Sequence, residues 1–232
     1  MALEDDVAAA LDGNAANLHS DFAAAMVGTS AAAVAAHKAV LDTSNGIAAA
    51  ARTETAALRQ RESDAVEVAR RGGREQGRMI TREVADRRAK LAADVATGTA
   101  LAVAQTHVLE ATLTASLVPA VSTDNSARQL ARSEIDAAHD DLTKLVALVG
   151  IGDSALDAEV ATYGARRLRA SAPDRELADA NDLILRHRIV AKLSAGASTP
   201  EQQAAVRALA ALPRFRGSHA AVKSAASIRS RT

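Results

Sequence analysis

The sequence of 232 residues contains no cysteine and no tryptophan, and its phenylalanine and tyrosine residues are Phe22, Tyr163 and Phe215 alone. Without cysteine the chain has neither a disulfide framework nor a thiolate metal site. With so few aromatic rings, the stacking of nucleic-acid bases on side chains is excluded as a main mode of binding. Leu, Ile, Val and Phe together form only about a fifth of the chain, and this composition excludes a β-sandwich and an α/β nucleotide-binding fold.

The chain also lacks a long hydrophobic run. No stretch of about 18 uncharged apolar residues occurs, which is the length that a membrane-spanning helix needs. The first residues include Glu4, Asp5 and Asp6, where a secretory signal peptide carries basic residues. We therefore expect a protein that neither spans a membrane nor is secreted by that route.

Alanine dominates what is present, at 59 of the 232 positions. Alanine is the best helix former, and equal numbers of basic and acidic residues, 28 of each, leave no net charge to favour disorder. We therefore predict an all-α protein in which long Ala-rich helices are followed by a compact four-helix unit. In the predicted division, residues 1–120 form the Ala-rich helical region, residues 121–213 the four-helix domain and residues 214–232 a basic tail.

Glycine and turn-forming residues predict two interruptions in the first region. The segment 42–46 has the composition of a turn, and three glycines interrupt a charged helix within the segment 70–78. Each of these glycines costs roughly 1 kcal/mol relative to alanine inside a helix. We therefore expect a kink or break at 70–78, and we expect Pro119 to end the last helix of the region.

Helix-capping signals divide the second region. Asp124 is expected to cap a helix that runs to Val149, Asp153 caps the next helix, and Pro173 opens a third. Thr199, followed by proline and then by glutamine three residues after the cap, is the strongest start signal in the chain. The helix that it begins is expected to end at Pro213.

Apolar patterning adds two expectations about the core. In the helix after Pro173, the apolar residues that we expect to form its stripe are Leu177, Ile184, Ile189, Val190 and Leu193. The segment after Pro213 has little apolar periodicity. It is therefore expected to contribute almost nothing to the core.

Charge alternates in blocks along the chain. Residues 1–50 hold one basic and six acidic residues, whereas residues 201–232 hold six basic and one acidic. Such an acidic beginning and basic end suit contacts between neighbouring copies, although solvated faces that happen to alternate are the alternative. Alanine faces bury little apolar area, so association would add the buried area that a monomer lacks. We expect a homo-oligomer.

The sequence contains no residue pattern that indicates a catalytic, cofactor-binding or metal site. The six histidines are scattered singly, and none lies three or four residues from another, as a metal site on a helix would require. The glycine-rich segment 72–77 has no preceding strand and no following Lys-Ser/Thr pair, so it matches neither a phosphate loop nor a dinucleotide fingerprint.

The segment Leu145–Ala155 resembles the helix-hairpin-helix element, which holds a DNA backbone at a Gly-Ile-Gly turn, here beginning at Gly150. Leu156 stands where that element has a small residue, and acidic residues follow the turn in place of Lys or Arg. The alternative, which we favour, is a plain connection in which Gly150 ends one helix and Asp153 caps the next.

Two basic clusters are candidate contacts with a partner protein or with nucleic acid, because either can neutralise phosphates without reading sequence. The first lies at the predicted break and the second in the predicted tail. Their residues are Arg70, Arg71, Arg74 and Arg78 in the first, and Arg214, Arg216, Lys223, Arg229 and Arg231 in the second.

The stretches Asp141–Leu145 and Gly150–Asp153, followed by Leu156–Leu168 and Ala180–Leu193, resemble the helical head-to-tail connector (adaptor) proteins of tailed bacteriophages. In that family a short helix, a turn rich in Gly and Asp, and two further helices form a subunit of a ring docked under the portal. The Ala-rich first half resembles the internal or ejection proteins of podophages. These resemblances imply a virion component whose partners are its own copies and portal, tail or capsid proteins.

We therefore predict a structural, non-catalytic helical assembly protein, a virion component of a tailed phage. Its host would have a GC-rich genome, because arginine greatly outnumbers lysine and alanine is abundant. The alternative is a bacterial cytoplasmic helical protein that binds other proteins or DNA. The expected location is accordingly the virion or the bacterial cytoplasm.

Overall fold

A computed structural model describes the backbone of residues 21–228 and the side chains of residues 21–217. Over this range the protein is all-α, as predicted, and contains no strand. None of the helices described is both long enough and apolar enough to cross a membrane. A short helical stretch at residues 21–25 precedes eight helices. They are α1 (Ala31–Arg70), α2 (Arg74–Ala115), α3 (Asn125–Ala137), α4 (Leu142–Ala147), α5 (Ser154–Glu159), α6 (Ala165–Ser171), α7 (Arg175–Ala195) and α8 (Pro200–Ile228), with a π-helical turn over Val160–Gly164 between α5 and α6.

The chain divides into two compact units. Among the described residues, the first unit contains 21–25, 31–110 and 210–228, and the second contains 26–30 and 111–209. Helices α2 and α8 therefore contribute residues to both units. The predicted domain limits at residues 120 and 213 stay predictions.

In the first unit, α1 and α2 form a long hairpin. Leu58 and Ala65 of α1 lie in one buried cluster with Ile80 and Val84 of α2. With 40 residues, α1 is about 60 Å long. A Cβ added to Gly77 would lie 3.1 Å from the carbonyl oxygen of Ala65, so glycine at this position allows the two backbones to approach closely.

Arginine–glutamate pairs join the two helices of the hairpin. Arg87 donates to both carboxylate oxygens of Glu54 at 2.8 and 3.0 Å, and Arg61 donates to Glu83 at 3.1 Å. These side chains are partly exposed, so each pair contributes at most about 1 kcal/mol to stability. Because the pairs join residues that are antiparallel neighbours, they help to set the register of the hairpin.

The predicted break at 70–78 is confirmed as the turn between α1 and α2. Gly72 has a φ of +94°, in the left-handed region that glycine adopts without strain. The amides of Gly72 and Gly73 donate to the carbonyls of Ala69 and Val68 at 3.2 and 3.0 Å. These bonds satisfy carbonyl groups that the end of α1 leaves without helical partners.

The predicted turn at 42–46 is wrong, because α1 continues through it. Within this segment the hydroxyl of Ser44 donates to the carbonyl of Val40 at 2.8 Å. Val40, Ala48 and Ala51 are all buried, so apolar packing continues on both sides of the segment. Packing along one helix face outweighs the low helix propensity of the turn-forming residues.

The predicted helix end at Pro213 is also wrong, because α8 continues to Ile228. Proline has no amide hydrogen, so one helical hydrogen bond is lost there. Leu212 and Phe215, on either side of it, have exposed fractions of only 2% and 1%, and in the first unit Phe215 stacks on Phe22 with ring centroids 4.4 Å apart. This burial offsets the lost bond. The segment after Pro213 therefore contributes to the core, contrary to expectation.

The core of the second unit is built from α3 to α7. The predicted caps Asp124 and Asp153 are confirmed, since their carboxylates accept backbone N–H groups at 2.8 and 2.9 Å. Thr199 is confirmed as a cap as well: its hydroxyl accepts the amide of Gln202 at 3.2 Å, and its own amide donates to the Gln202 side chain at 3.3 Å. The buried residues include Ala131, Ile135, Ala138, Leu145, Val149, Leu156, Val160, Leu168, Leu185 and Ile189.

The helix predicted from Asp124 to Val149 is interrupted between α3 and α4. His139 and Asp140 have φ values of 53° and 58°, which are uncommon for residues with side chains. Asp141 then caps α4 by accepting two backbone N–H groups at 2.8 and 3.2 Å. The interruption places an Asp140 carboxylate oxygen 2.8 Å from Nε of Arg167, and this ion pair helps to offset the backbone strain.

The buried face of α7 differs from the predicted stripe. Ala178, Leu185 and Ile189 are buried, whereas Leu177 and Ile184 are each 44% exposed. Helix α7 carries apolar residues on two sides, and its contacts with α4 and α6 cover one of them. The apolar spacing predicts a helix but does not show which side faces the core.

Candidate interaction sites

The turn between α1 and α2 carries the first predicted basic cluster. Arg70, Arg71, Arg74 and Arg78 are all exposed, and we call these four residues the arginine tip. Arg71 pairs with Glu67 at 2.8 Å. The other three arginines form no ion pair with any residue that the structure describes. The tip therefore presents to solvent three guanidinium groups that have no ion-pair partner among the described residues.

A groove with a volume of about 470 Å³ lies along the hairpin beside the tip. Arg74 and Arg78 line it together with small residues that include Ala69 and Gly77. Val66, which is 53% exposed, also lines the groove. Cationic groups beside an apolar floor suit a partner surface that is anionic and also offers apolar contact.

The described residues of the second basic cluster have different surroundings. Arg214 is exposed, but Arg216 is half-buried and donates to the carboxylate of Glu110 at 2.5 Å. Glu110 lies about 48 Å from Arg78 along α2, so Arg216 is far from the arginine tip. The side chains of Lys223, Arg229 and Arg231 lie outside the described residues.

The Gly-Ile-Gly turn is closed from within the second unit. The amide of Gly150 donates to the carboxylate of Asp157 at 2.7 Å, and Asp157 is buried. Lys192 Nζ donates to the carbonyl of Val149 at 3.1 Å, and Leu156 is buried beneath the turn. The Asp157 carboxylate therefore already occupies the Gly150 amide, which is not free to donate to a DNA phosphate. This geometry favours the plain helix connection.

A buried carboxylate that the sequence analysis missed lies at the end of α5. Glu159 is 1% exposed and accepts hydrogen bonds from Nε of Arg128 at 2.8 Å and from Nε of Arg132 at 2.9 Å. The guanidinium of Arg132 also lies over the ring of Tyr163, 4.9 Å from its centroid. A signal was present in the sequence: Glu159 follows Leu156 by three residues, on the stripe that faces the core.

The contacts around Glu159 are part of a larger network of hydrogen bonds and ion pairs that extends across the π-helical turn. The hydroxyl of Tyr163 donates to Asp136 at 2.9 Å, and Arg167 donates to both Asp136 and Asp140. Hydrogen bonds with Asp140, Tyr163 and Asp136 raise the pKa of Arg167 above its usual value. Basic and acidic groups alternate along this network, so its charges compensate one another.

The charges around Glu159 indicate that its carboxylate stabilises the fold. Burial by itself would raise the pKa of its carboxyl, but hydrogen bonds from Arg128 and Arg132, together with their charges, outweigh burial and lower the pKa. The carboxylate therefore stays ionised near neutral pH, with both oxygens occupied. No group of three His, Asp or Glu side chains able to hold a metal occurs in the part of the chain that the structure describes.

The two charged features differ in what they offer to a partner. The arginine tip is open to solvent, whereas the network around Glu159 is closed on itself. In comparisons with protein-family models, curated proteins and solved structures, nothing matches this chain.

Proposed function

We propose that the protein is a non-catalytic structural component of a larger assembly, and that its α1–α2 hairpin docks the arginine tip on an anionic surface of a neighbour. The observation that carries this proposal is the tip: Arg70, Arg74 and Arg78 are exposed and pair with no described acidic residue. The hairpin beneath them is held by a buried cluster and by interhelical ion pairs. The three arginines are therefore carried by a hairpin whose two helices are packed and ion-paired together.

The alanine-rich composition supports a role in an assembly. An alanine on a helix face buries one methyl group where leucine would bury four carbons, and each carbon contributes about 0.8 kcal/mol. Association with neighbours adds buried area that such helices do not obtain within one chain. The composition thus suits a subunit that is stabilised by its neighbours.

Within this proposal the assembly is the virion of a tailed bacteriophage with a GC-rich host, and the chain serves as a connector (adaptor) or an internal protein. Its neighbours are then its own copies and portal, tail or capsid proteins. The resemblance in Asp141–Asp153 and the following helices supports this. A short helix α4 is followed by a turn with Gly and Asp, then by the contiguous helical segment from α5 through the π-helical turn to α6, and then by α7. This order is the one that the resemblance implies.

The second candidate function is that of a bacterial cytoplasmic helical protein associated with DNA. The same observation supports it, because three exposed arginines that pair with no described acidic residue neutralise phosphates as well as carboxylates. Contact through the tip would be independent of base sequence, since phosphate contacts carry no sequence information.

The test compares the parent chain with the variant Arg70→Gln, Arg74→Gln, Arg78→Gln. We expect the parent at low salt to form rings or fibres in negative-stain images, and the triple variant to form fewer and smaller particles. If DNA is the partner, a monomer or dimer retains a 30-base-pair duplex instead. In that case the slope of log affinity against log salt falls by about 2 to 3 in the variant, because up to three phosphate contacts are lost.

The matched control replaces Lys38, Lys90 and Arg166 by glutamine. All three are exposed and lie away from the tip, so the control has the same net charge as the triple variant. It should assemble, or bind DNA, almost as the parent does. A triple variant that matches the parent both in particle formation and in DNA retention overturns the proposal.

A further inference from the structure

The groove beside the arginine tip, which we call the tip groove, combines an apolar floor with positive charge at one end. Small residues and the exposed side chain of Val66 form its floor. Arg74 and Arg78 line the groove and form no ion pair with a described residue. Arg88 lines it further from the tip, and this arginine pairs with Glu62 at 2.6 Å. The positive charge without a described partner therefore lies at the tip end.

The tip groove has the length of a short helix. Arg74 and Arg88 mark its ends on α2, and they lie about 21 Å apart along the helix axis. Between them, Gly77, Thr81 and Ala85 line the groove in successive turns of α2. Side chains this small let the backbone of another helix approach closely. The tip groove therefore suits a helix that carries apolar residues on one face and acidic residues beside them.

The first residues of the chain have the complementary pattern in their sequence. Residues 1–20 lie outside the described residues, and they contain four acidic residues and no lysine or arginine. Leu3, Val7 and Leu11 recur at every fourth position, so in a helix they form one apolar face. The sequence of this segment therefore predicts an acidic amphipathic helix.

We propose that the tip groove binds residues 3–12 of a second copy of the chain as a helix. The inference rests on the proposed function, because it names the anionic surface on which the arginine tip docks. The apolar face of the segment packs on the floor of the groove. Glu4 and Asp6 lie at the edges of that face and place carboxylates near Arg74 and Arg78.

The distribution of charge sets the direction of the bound segment. Its acidic residues are concentrated at 4–6, and Arg74 and Arg78 lie at the tip end of the groove. The segment therefore begins at the tip and runs parallel to α2. With residues 4–6 level with these arginines, the equal rise of two helices places Ala10 level with Thr81.

Chain length favours the segment of a second copy over the segment of the same chain. Within the first unit, the rings of Phe22 and His37 lie 5.1 Å apart. Glu62, at the end of the groove away from the tip, lies about 38 Å from His37 along α1. Residues 12–22 span at most about 36 Å when fully extended. The chain's own segment therefore reaches the groove only at full extension, whereas the segment of a second copy has no such limit.

The proposed contact is heterologous, because the segment and the groove are different surfaces. Repetition of a heterologous contact produces a ring if the rotation closes and a fibre if it does not. Each copy then gives its segment to one neighbour and receives the segment of another. This arrangement accounts for the rings or fibres expected from the proposed function.

Because the chain has no native cysteine, single cysteines test the geometry directly. The segment variant is Ala10→Cys and the groove variant is Thr81→Cys, each in the full chain and one of them with an affinity tag. At low salt under mild oxidation, an equal mixture should form a disulfide-linked heterodimer. The yield should be at least about tenfold above that of the segment variant with Met79→Cys. Met79 is 67% exposed on α2 and does not line the groove.

Reversal of charge provides the second measurement. Arg74→Glu and Arg78→Glu, added to the groove variant, should lower the yield of heterodimer at least about tenfold, because like charges then face each other. Glu4→Arg and Asp6→Arg, added to the segment variant, should restore the yield with this reversed groove. Circular dichroism should stay unchanged when the groove is reversed, since both arginines are exposed.

Three outcomes overturn the proposal. The first is a mixture that links no better than the Met79→Cys control, and the second is linking that reversal of charge leaves unchanged. The third uses one chain that carries both Ala10→Cys and Thr81→Cys. If this chain closes an internal disulfide while the mixture of single variants does not link, the groove binds the chain's own segment instead of a second copy.

The same variants separate this inference from the proposed function. If the triple glutamine variant of the tip loses particle formation or DNA retention while the mixture does not link, the proposed function stands and the inference fails. If the mixture links but the triple variant matches the parent in particle formation and in DNA retention, the segment binds the groove and the proposed function fails.

Discussion

Replacing Phe215 by alanine is expected to lower the free energy of unfolding by about 3 to 5 kcal/mol, the usual cost of truncating a buried phenylalanine. The ring is 1% exposed, stacks on Phe22 at 4.4 Å and meets the edge of His37 at 5.7 Å. These rings join α8 to α1 and to the segment at 21–25 within the first unit. The loss should appear as a midpoint of thermal unfolding lower by roughly 10 °C, measured by circular dichroism.

Arg214→Ala is the matched control for Phe215→Ala. It lies one residue away and is exposed, so its effect on stability should stay within about 0.5 kcal/mol. Deletion of residues 214–232 should resemble Phe215→Ala rather than the control, because it removes the same ring. If deletion leaves the unfolding midpoint unchanged, the segment after Pro213 is a tail that does not support the core.

Replacing Glu159 by alanine should cost about 2 to 4 kcal/mol of stability, since it leaves Arg128 and Arg132 without their partner and opens space in the second unit. The carboxylate is 1% exposed, while the two arginine side chains are 34% and 41% exposed and can be partly rehydrated. This partial exposure places the expected cost below that of an entirely buried pair. Urea unfolding at pH 7 measures it.

The acid dependence of Glu159→Gln tests the charge itself. A carboxyl whose pKa is lowered on folding contributes stability above its unfolded pKa of about 4.3 and loses it as pH falls through the lower, folded value. The parent should therefore exceed Glu159→Gln in stability at pH 7, and the difference should shrink below about pH 4.3. Glu134→Gln, which changes an exposed glutamate, is the matched control. A difference for Glu159→Gln that is constant from pH 7 to pH 3 would contradict the ion-pair role.

The exposed position of the arginine tip at a turn is well predicted by the sequence, whereas its role as a contact stays a prediction. Glycines mark the turn, and consecutive arginines beside a turn are seldom buried. Arg216 belonged to the other predicted cluster, yet it pairs with Glu110, which lies 106 positions away in the sequence. A partner at that separation is set by the way that the chain folds, and no local pattern reports it. For the same reason, no local sequence pattern indicates the pairing of Glu159 with Arg128 and Arg132.

The all-α class, the helix starts at Asp124, Asp153 and Thr199, and the turn at 70–78 are all predictable from the amino-acid sequence. These features depend on helix propensity and on hydrogen bonds between residues that are close in sequence. The continuation of α1 through 42–46 and of α8 through Pro213 depends instead on packing between parts of the chain that are far apart in sequence. The side of α7 that faces the core depends on the same long-range packing. Glycine and proline oppose a helix by about 1 to 3 kcal/mol per residue, and burial against residues distant in sequence outweighs this cost. Such burial cannot be predicted from the local composition.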